Sequence, residues 1–392
     1  MTEKNSDVPN LSRRGRPSRL AVFDRFNRAV RDLYGATGGL PRPIESEEIW
    51  EGIWFEETHN STALEGNTLV LREVKTLLEE GVAVGEKELR EYLEVQGYAE
   101  AAMWAYSQAF EHPVHDETGA ASSPLISVGE LRELHRLVVE PVWRHFPPAD
   151  HGTAEGPGSY RTHDIEAFPN GMRPPPWPDV PPQVTDWLKA ANSMIEYFTE
   201  WLRPSPENFD YTDPASHPIS RLAHLHAHFE RIHPFRDGNG RTGRLVLNLM
   251  LVRMFYPPAV IKKRDRMKYL KALDRADRGD PCPLGELLAR SLIHGINRFL
   301  LPNLAGPQGL VPLSSLADKD LSNIALRRAA ERGRLRAQRE DDQWYSTRKW
   351  VNEYKASRRR GRSQAVAELP RPQPRVKKPR SAAADDEAPT LF

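Results

Sequence analysis

Between two helix-length apolar repeats lies the segment His233-Pro234-Phe235-Arg236-Asp237-Gly238-Asn239-Gly240-Arg241-Thr242-Gly243-Arg244, which limits the possible folds more than any other part of the chain. Upstream, Leu222, Leu225, Phe229 and Ile232 fall at helical spacing; downstream, Leu245, Leu249, Val252 and Phe255 do the same until Pro257-Pro258 stops the run. Three glycines, a carboxylate, an amide and arginines in one short connection are poor core material and good material for an anion site. The segment therefore predicts two helices joined by a polar loop that binds something negatively charged.

The other apolar repeats are also helical, so the fold class is mainly α. Residues 1–22 are polar, carry Arg13, Arg14, Arg16 and Arg19, and read as a disordered arm. A helical region over 23–110 follows, in which Ser61 is placed to cap a short helix whose far end is marked by Gly66 and Asn67. Leu131, Leu134, Leu137 and Val138 then mark a helix near 126–144. The stretch 152–182, with Tyr160-Arg161 and Pro174-Pro175-Pro176-Trp177-Pro178, excludes a helix interior or a central strand and suits an extended flap or edge hairpin. Helices resume over 184–201, 219–232, 266–279 and 284–300. A linker at 302–312 leads to a small unit over 311–357, and 358–392 read as a disordered basic, Pro-rich tail; internal repeats are not evident.

Composition sets the outer bounds. One cysteine, Cys282, excludes an internal disulfide framework, and the absence of a long apolar run excludes a membrane span, so a cytoplasmic protein is expected. The net charge of +1 hides a basic end: residues 321–380 hold 18 Lys and Arg against 6 Asp and Glu, which directs any nucleic-acid contact to the C-terminal part.

At the central loop, a helix N-terminus would offer unpaired backbone N–H groups, and Gly238, Gly240 and Gly243 would let phosphate oxygens approach them. Asp237 can hold a divalent cation. Arg241 and Arg244, three apart, lie near one face of the first turns and can reach terminal phosphates. His233 is the residue suited to take a proton from a hydroxyl near neutral pH. The spacing is not that of a P-loop, since no Lys-Ser/Thr pair closes it and no strand precedes it. His224 and His228 are one helical turn apart, but without the Glu of a His-Glu-x-x-His motif they read as ordinary surface or supporting residues rather than zinc ligands.

From His233 to Arg244 the chain resembles the Fic (Fic/Doc) family at every position of its signature, His-Pro-Phe-x-(Asp/Glu)-Gly-Asn-Gly-Arg-x-x-Arg. The resemblance extends over residues 45–305, through Tyr160-Arg161, the Pro-rich flap and Tyr269-Leu270-Lys271-Ala272-Leu273. It implies a Fic helical core over 111–305 with a short β-hairpin flap, and an enzyme that transfers AMP from ATP to a Ser, Thr or Tyr hydroxyl of a protein. His233 would deprotonate the hydroxyl, Asp237 would hold Mg2+ on the phosphates, and Asn239 with the backbone of Gly238 and Gly240 would hold the α- and β-phosphates. Arg241 would bind the β/γ region and Arg244 the γ-phosphate. Ser61-Thr62-Ala63-Leu64-Glu65-Gly66-Asn67 looks like the family's inhibitory helix, (Ser/Thr)-x-x-x-Glu-(Gly/Asn), whose glutamate, here Glu65, would compete with the γ-phosphate for Arg244. The same residues are compatible with removal of AMP, Glu65 then positioning water; a third reading is a nucleotide-sensing DNA-binding regulator.

The unit at 311–357, with Leu326-Arg327-Arg328-Ala329 and Trp344-Tyr345, resembles excisionase or MerR-like winged helix-turn-helix modules. DNA contact through 311–362 and protein docking are both open on this reading. Self-modification and a homodimer are further compatible partners.

Overall fold

The computed structural model describes residues 19–37, 40–114, 123–149, 154–169, 171–201, 214–304, 309–332, 334–340 and 343–367. In chain order the helices are α1 (Arg19–Thr37), α2 (Glu47–Leu64), α3 (Leu71–Glu80), α4 (Leu89–Glu111), α5 (Val128–Trp143), α6 (Val180–Trp201), α7 (Pro218–Ile232), α8 (Asn239–Arg253), α9 (Arg266–Asp277) and α10 (Cys282–Gly295). A π-turn at Ile296–Leu300 and α11 (Leu301–Leu304) lead to β1 (Val311–Pro312), α12 (Asn323–Glu331), β2 (Gln338–Glu340), β3 (Gln343–Ser346) and α13 (Arg348–Ala367). Among the described residues no helix is long and apolar enough to cross a membrane.

Helix α8 is the axis of the body. Its run Leu245-Val246-Leu247 and Leu249-Met250-Leu251-Val252 has no polar face, so the helix is buried on all sides, as such a sequence must be. It packs on α4, α5 and α7, while α10 and α6 cover α7 and α1 covers α10. The two polar side chains in its core half bond to neighbouring elements, although Nε of Arg253 has no hydrogen-bond partner. Asn248 donates to Glu57 Oε1 (2.8 Å) and accepts from the Ala259 N–H (2.8 Å); Arg253 donates to Glu130 and to the Leu125 carbonyl (3.0 Å). Glu57, buried on α2, also accepts from the Tyr98 and Tyr106 hydroxyls of α4, which fixes α2 against α4 and α8.

Several boundaries differ from the sequence reading. The motif from Ser61 to Asn67 is not a separate short helix. Ile49, Trp50, Ile53 and Phe55 sustain a buried face along α2, so Ser61 lies inside that helix rather than at its start, and Glu65 is its C-cap. Phe255, expected on the apolar face of α8, lies beyond its end at φ 62° and is exposed, because the chain turns there before Pro257. Helix α1 begins at Arg19 inside the expected arm, since Val22, Phe23 and Phe26 are buried; residues 1–18 lie outside the described residues. Helix α13 continues to Ala367, past the expected start of the tail, and 368–392 lie outside the described residues.

Of the expected flap hairpin, the described residues show a turn and no strand: the Phe168 N–H bonds to the Met172 carbonyl (2.8 Å) and the Gly171 N–H to the Phe168 carbonyl (2.8 Å). Pro174, Pro175 and Pro176 have no N–H to extend a ladder. The C-terminal unit is a three-stranded antiparallel sheet in the order β1-β3-β2, with Val311 opposite Ser346 and Arg339 opposite Trp344, flanked by α12 and α13. It is tied to the body where the Tyr345 hydroxyl donates to Asp32 of α1 (3.1 Å) and the Ser315 hydroxyl to Asn297 (2.9 Å).

Candidate active site

The loop between α7 and α8 is held from beneath. His233 caps α7 in the left-handed region (φ 49°, ψ 61°), a conformation that costs a β-carbon residue energy unless its surroundings impose it. The buried Arg161 imposes it: its guanidinium donates to the carbonyls of His233 (2.9 Å), His163 (2.9 Å) and Pro175 (2.6 Å), and its backbone N–H to that of Pro234 (2.9 Å). Asn239 closes the loop from within, donating to the Phe235 carbonyl (2.7 Å) and accepting from the Phe235 N–H (2.9 Å). Its side chain is thus spent on loop structure, and its backbone N–H is what it offers an anion. Phe235 is fully buried and stacks on His135 of α5, with ring centroids 3.7 Å apart.

His135 joins α5 to both sides of the site. The Gly158 N–H donates to its Nδ1 (2.9 Å), which leaves Nε2–H to donate to the Asp237 carbonyl (3.0 Å). Burial lowers its pKa to about 3, so it stays neutral and keeps this tautomer. Glu155 does similar work at the base of the flap, accepting from the Thr162 N–H (2.6 Å), His163 (2.6 Å) and Arg236 (2.8 Å). These donors outweigh its burial and bring its carboxyl down to about 2.

Helix α8 begins at Gly238, and its first internal bond runs from the Thr242 N–H to the Gly238 carbonyl (2.9 Å). The N–H groups of Asn239, Gly240 and Arg241 therefore have no partner within the helix, an arrangement suited to an anion. His233 stands beside it. Its Nδ1 lies 3.2 Å from the Glu230 carbonyl, so Nδ1 carries the proton and Nε2 is the free base. Burial pushes its pKa down to about 4, which keeps the imidazole neutral across the physiological range. Asp237, half-exposed, accepts from the Gly238 N–H (2.6 Å) and from Arg241 (3.4 Å), and its second oxygen lies 3.7 Å from Arg90. Although burial raises its pKa, Arg241 and the Gly238 N–H more than offset this and keep it ionised.

The guanidinium of Arg244 is held by the end of α2 through Nε and Nη2. Its Nε donates to the Ser61 hydroxyl (2.8 Å), and its Nη2 to the Ser61 carbonyl (3.0 Å) and to Glu65 Oε1 (2.7 Å). The Tyr269 hydroxyl, 2.7 Å from His226 Nε2, lies beside the same group. Glu65 also covers the helix terminus: a β-carbon at Gly240 would lie 2.4 Å from Glu65 Oε1, so only glycine fits beneath this carboxylate. A negative charge thus sits where the α8 terminus and Arg244 together favour one. Arg241, almost fully buried, has Nε and Nη1 without hydrogen-bond partners, and Glu94 of α4 stands 3.9 Å from its Nη1. Glu230, on α7, has an Oε1 with no hydrogen-bond partner, 3.8 Å from His226 Nε2, and a pKa raised to about 7 by burial.

Residues 125–251 match the model of the Fic/DOC family. The chain carries a Fic/DOC family domain. It is 30% identical over 282 residues to the protein adenylyltransferase Fic of Nematostella vectensis, covering 72% of this chain and 56% of that protein. It is 28% identical over 296 residues to the protein adenylyltransferase fic-1 of Caenorhabditis elegans, covering 76% and 51%. The chain thus spans about half the length of the curated relatives it matches. In three dimensions it is similar to Fic-1 of C. elegans (residues 134–508), with a TM-score of 0.51, 26% identity, and 71% and 72% of the two chains covered. A Fic domain containing signaling protein of Bacteroides thetaiotaomicron has the same fold, with a TM-score of 0.52, 22% identity, and 73% and 96% covered.

The fold brings the residues expected at the site close together, Glu65 from outside the matched Fic/DOC residues. His233, Asp237, Gly238, Asn239, Gly240, Arg241, Gly243 and Arg244 share the loop and first turns of α8, and Glu65 reaches Arg244 from 179 positions away. His135, Glu155, Glu230, Glu94 and Arg90 were not singled out from sequence. A lone histidine on an apolar helix face, or a glutamate in a Gly/Pro-rich loop, carries no local signal of what it will touch. No group of three or more His, Cys, Asp or Glu side chains is arranged to hold a metal among the described residues, and His226 is occupied by Tyr269.

Proposed function

We propose that this chain is an ATP-dependent protein adenylyltransferase held off by its own Glu65. The observation that carries the reading is the tautomer of His233 at the end of α7: Nδ1–H is spent on the Glu230 carbonyl, which leaves Nε2 unprotonated on the loop that leads into α8. Nε2 takes the proton of a Ser, Thr or Tyr hydroxyl. The hydroxyl oxygen bonds to the α-phosphorus of ATP, the bond to the β-phosphate oxygen breaks, and pyrophosphate leaves. The N–H groups of Asn239, Gly240 and Arg241 stabilise the phosphate oxygens, and the unpartnered donors of Arg241 are suited to the same task. Arg244 takes the γ-phosphate once Glu65 releases it.

Asp237 is suited to a divalent cation carried in on the phosphates: it is ionised, half-exposed, and has one oxygen with no contact closer than Arg90 at 3.7 Å. A Mg2+ ion bound there would neutralise phosphate charge. Glu65 pairing with Arg244 removes the γ-phosphate site and places a like charge in the phosphate path, so ATP cannot settle in line for attack.

The test is incubation of the full chain with α-labelled ATP and Mg2+. Glu65→Gly is expected to raise labelling of the chain itself or of lysate proteins roughly ten- to a hundred-fold, and His233→Ala in that background to abolish it. Labelling that survives His233→Ala would overturn the transfer reading; Glu65→Gly labelling at the wild-type level, with ATP binding intact, would overturn the inhibition. Removal of AMP by the same site is a second reading, supported by the Glu65 carboxylate over Gly240, where it can position water. Release of AMP from a modified protein by wild type but not by Glu65→Gly would favour it. For the C-terminal unit we propose a helix-turn-helix role. Arg327 and Arg328 are exposed on α12, and loss of duplex binding in Arg327→Ala/Arg328→Ala would favour DNA over protein docking.

A further inference from the structure

Behind α9, away from the active-site loop, is a cleft of about 1090 Å³ between α9, α10, the start of α1 and the turn before α9. Helix α9 separates the two sites: Tyr269 is buried beside Arg244, whereas Lys268, Lys271 and Arg275, at helical spacing, line the cleft and are exposed. Seven Lys and Arg side chains line it against two carboxylates, which are shared, while Lys262 and Arg275 are also paired with Glu56 and Asp280 outside the lining. Asp265 serves Lys268 (2.6 Å) and Arg264 (3.7 Å); Glu286 serves Arg290 (2.8 Å) and Arg19 (3.9 Å). Lys271 has no ion-pair partner among the described residues.

Two neighbouring groups are disfavoured as cations, first by burial and then by nearby cations. Arg25 of α1 is destabilised as a cation by burial and then by Arg290 and Arg28. His294, at the cleft wall, is held neutral, near pKa 4, by burial together with Lys262 and Arg298. Crowding of like charge costs folding stability, and a bound polyanion would relieve it.

The lining also narrows the kind of anion. No Phe, Tyr or Trp lines the cleft, so the one ring a base could stack on is the partly buried His294 imidazole. Its apolar part is limited to short groups such as Val260, Ala272 and Leu287, which offer no deep anchor for a peptide side chain. A concave wall cannot lie against a flat bilayer. What remains suited is a repeating phosphate reached by arginine forks and lysine point charges along helices. We propose that the α1/α9/α10 cleft binds the phosphodiester backbone of nucleic acid without reading its sequence. This site is independent of the transfer chemistry and distinct from the C-terminal basic region.

The test uses the full chain and a fluorescein-labelled duplex of about 20 base pairs and arbitrary sequence, at about 50 and about 200 mM salt. Wild type is expected to bind at the lower salt and to weaken steeply at the higher. Lys268→Glu/Lys271→Glu/Arg275→Glu should bind at least about tenfold more weakly, with a log–log salt slope flatter by roughly 3. The neutral variant Lys268→Gln/Lys271→Gln/Arg275→Gln, with an unchanged thermal midpoint, should fall between them, which separates lost contacts from misfolding. No binding by wild type at the lower salt would overturn the proposal. So would wild-type affinity in both cleft variants, or displacement of the duplex by poly-glutamate at equal charge concentration.

Discussion

His233 shows how a single residue is set for its task by what surrounds it. Removing an imidazole from water disfavours its charged form, and here that effect exceeds the help of the Glu230 carbonyl, so the pKa falls to about 4. The residue proposed as proton acceptor is then already in its basic form at neutral pH. An NMR titration of the full chain, with the resonance assigned by its loss in His233→Ala, should show the His233 ring unprotonated from pH 8 down to about 5; a midpoint near 6.5 would contradict the burial argument. Glu65 moves the same way for a different reason. Burial alone would raise its pKa, but Arg244 outweighs it and the value falls below the ordinary carboxylate range. A carboxyl with a depressed folded-state pKa contributes stability above its unfolded pKa and loses it only as pH falls through the folded one. Release of Glu65 at neutral pH therefore requires a competing contact rather than a proton.

Among the elements, α5 has a larger part in the site than its sequence suggests. Its Ser127 hydroxyl and Glu130 form a reciprocal cap that starts the helix, and two turns on His135 stacks on Phe235 and bonds both Gly158 and Asp237. Replacing His135 with alanine removes the stack and both bonds and leaves a buried N–H unpaired. The expected loss is about 2–4 kcal/mol in urea unfolding, with the Glu65→Gly transfer rate falling in the double variant as the loop loosens. Helix α8 has the opposite sensitivity. A β-carbon at Gly243 would meet Glu230 Oε1 at 2.5 Å and the Phe229 ring at 2.8 Å, so Gly243→Ala should destabilise by about 1–3 kcal/mol on the same measurement. A neutral effect would mean that α7 and α8 can separate there.

At the scale of the whole molecule, the C-terminal unit is attached through α1 and the turn after α10. Asp32 accepts from the Tyr345 hydroxyl and from Gln343, so α1 connects β3 to the α10 side of the body. Asp32→Ala should cost about 1 kcal/mol and speed tryptic cleavage at the arginines of α12 while the helical body stays intact; unchanged cleavage would show that the Ser315–Asn297 contact alone suffices. At this scale charge is also redistributed. The sequence places its basic excess after residue 321, yet the folded body gathers cations from α1, α9 and α10 into one cleft and leaves it two carboxylates.

Local features of the chain were legible without a structure. The histidine loop, the helices on either side of it and the mainly α fold follow from contiguous motifs, because an anion-binding helix start is built by residues adjacent in sequence; the pairing of Glu65 with Arg244, 179 positions apart, was implied only by the family resemblance. What only tertiary structure decided are contacts between distant segments: Ser61 within α2 rather than at a helix start, Asn239 turned inward onto Phe235, His135 beneath the loop, Glu155 under the flap, and the cationic cleft. Each depends on which helix faces cross in the folded body. Periodicity gives a helix its buried side, but the partner that side meets is chosen by packing around α8.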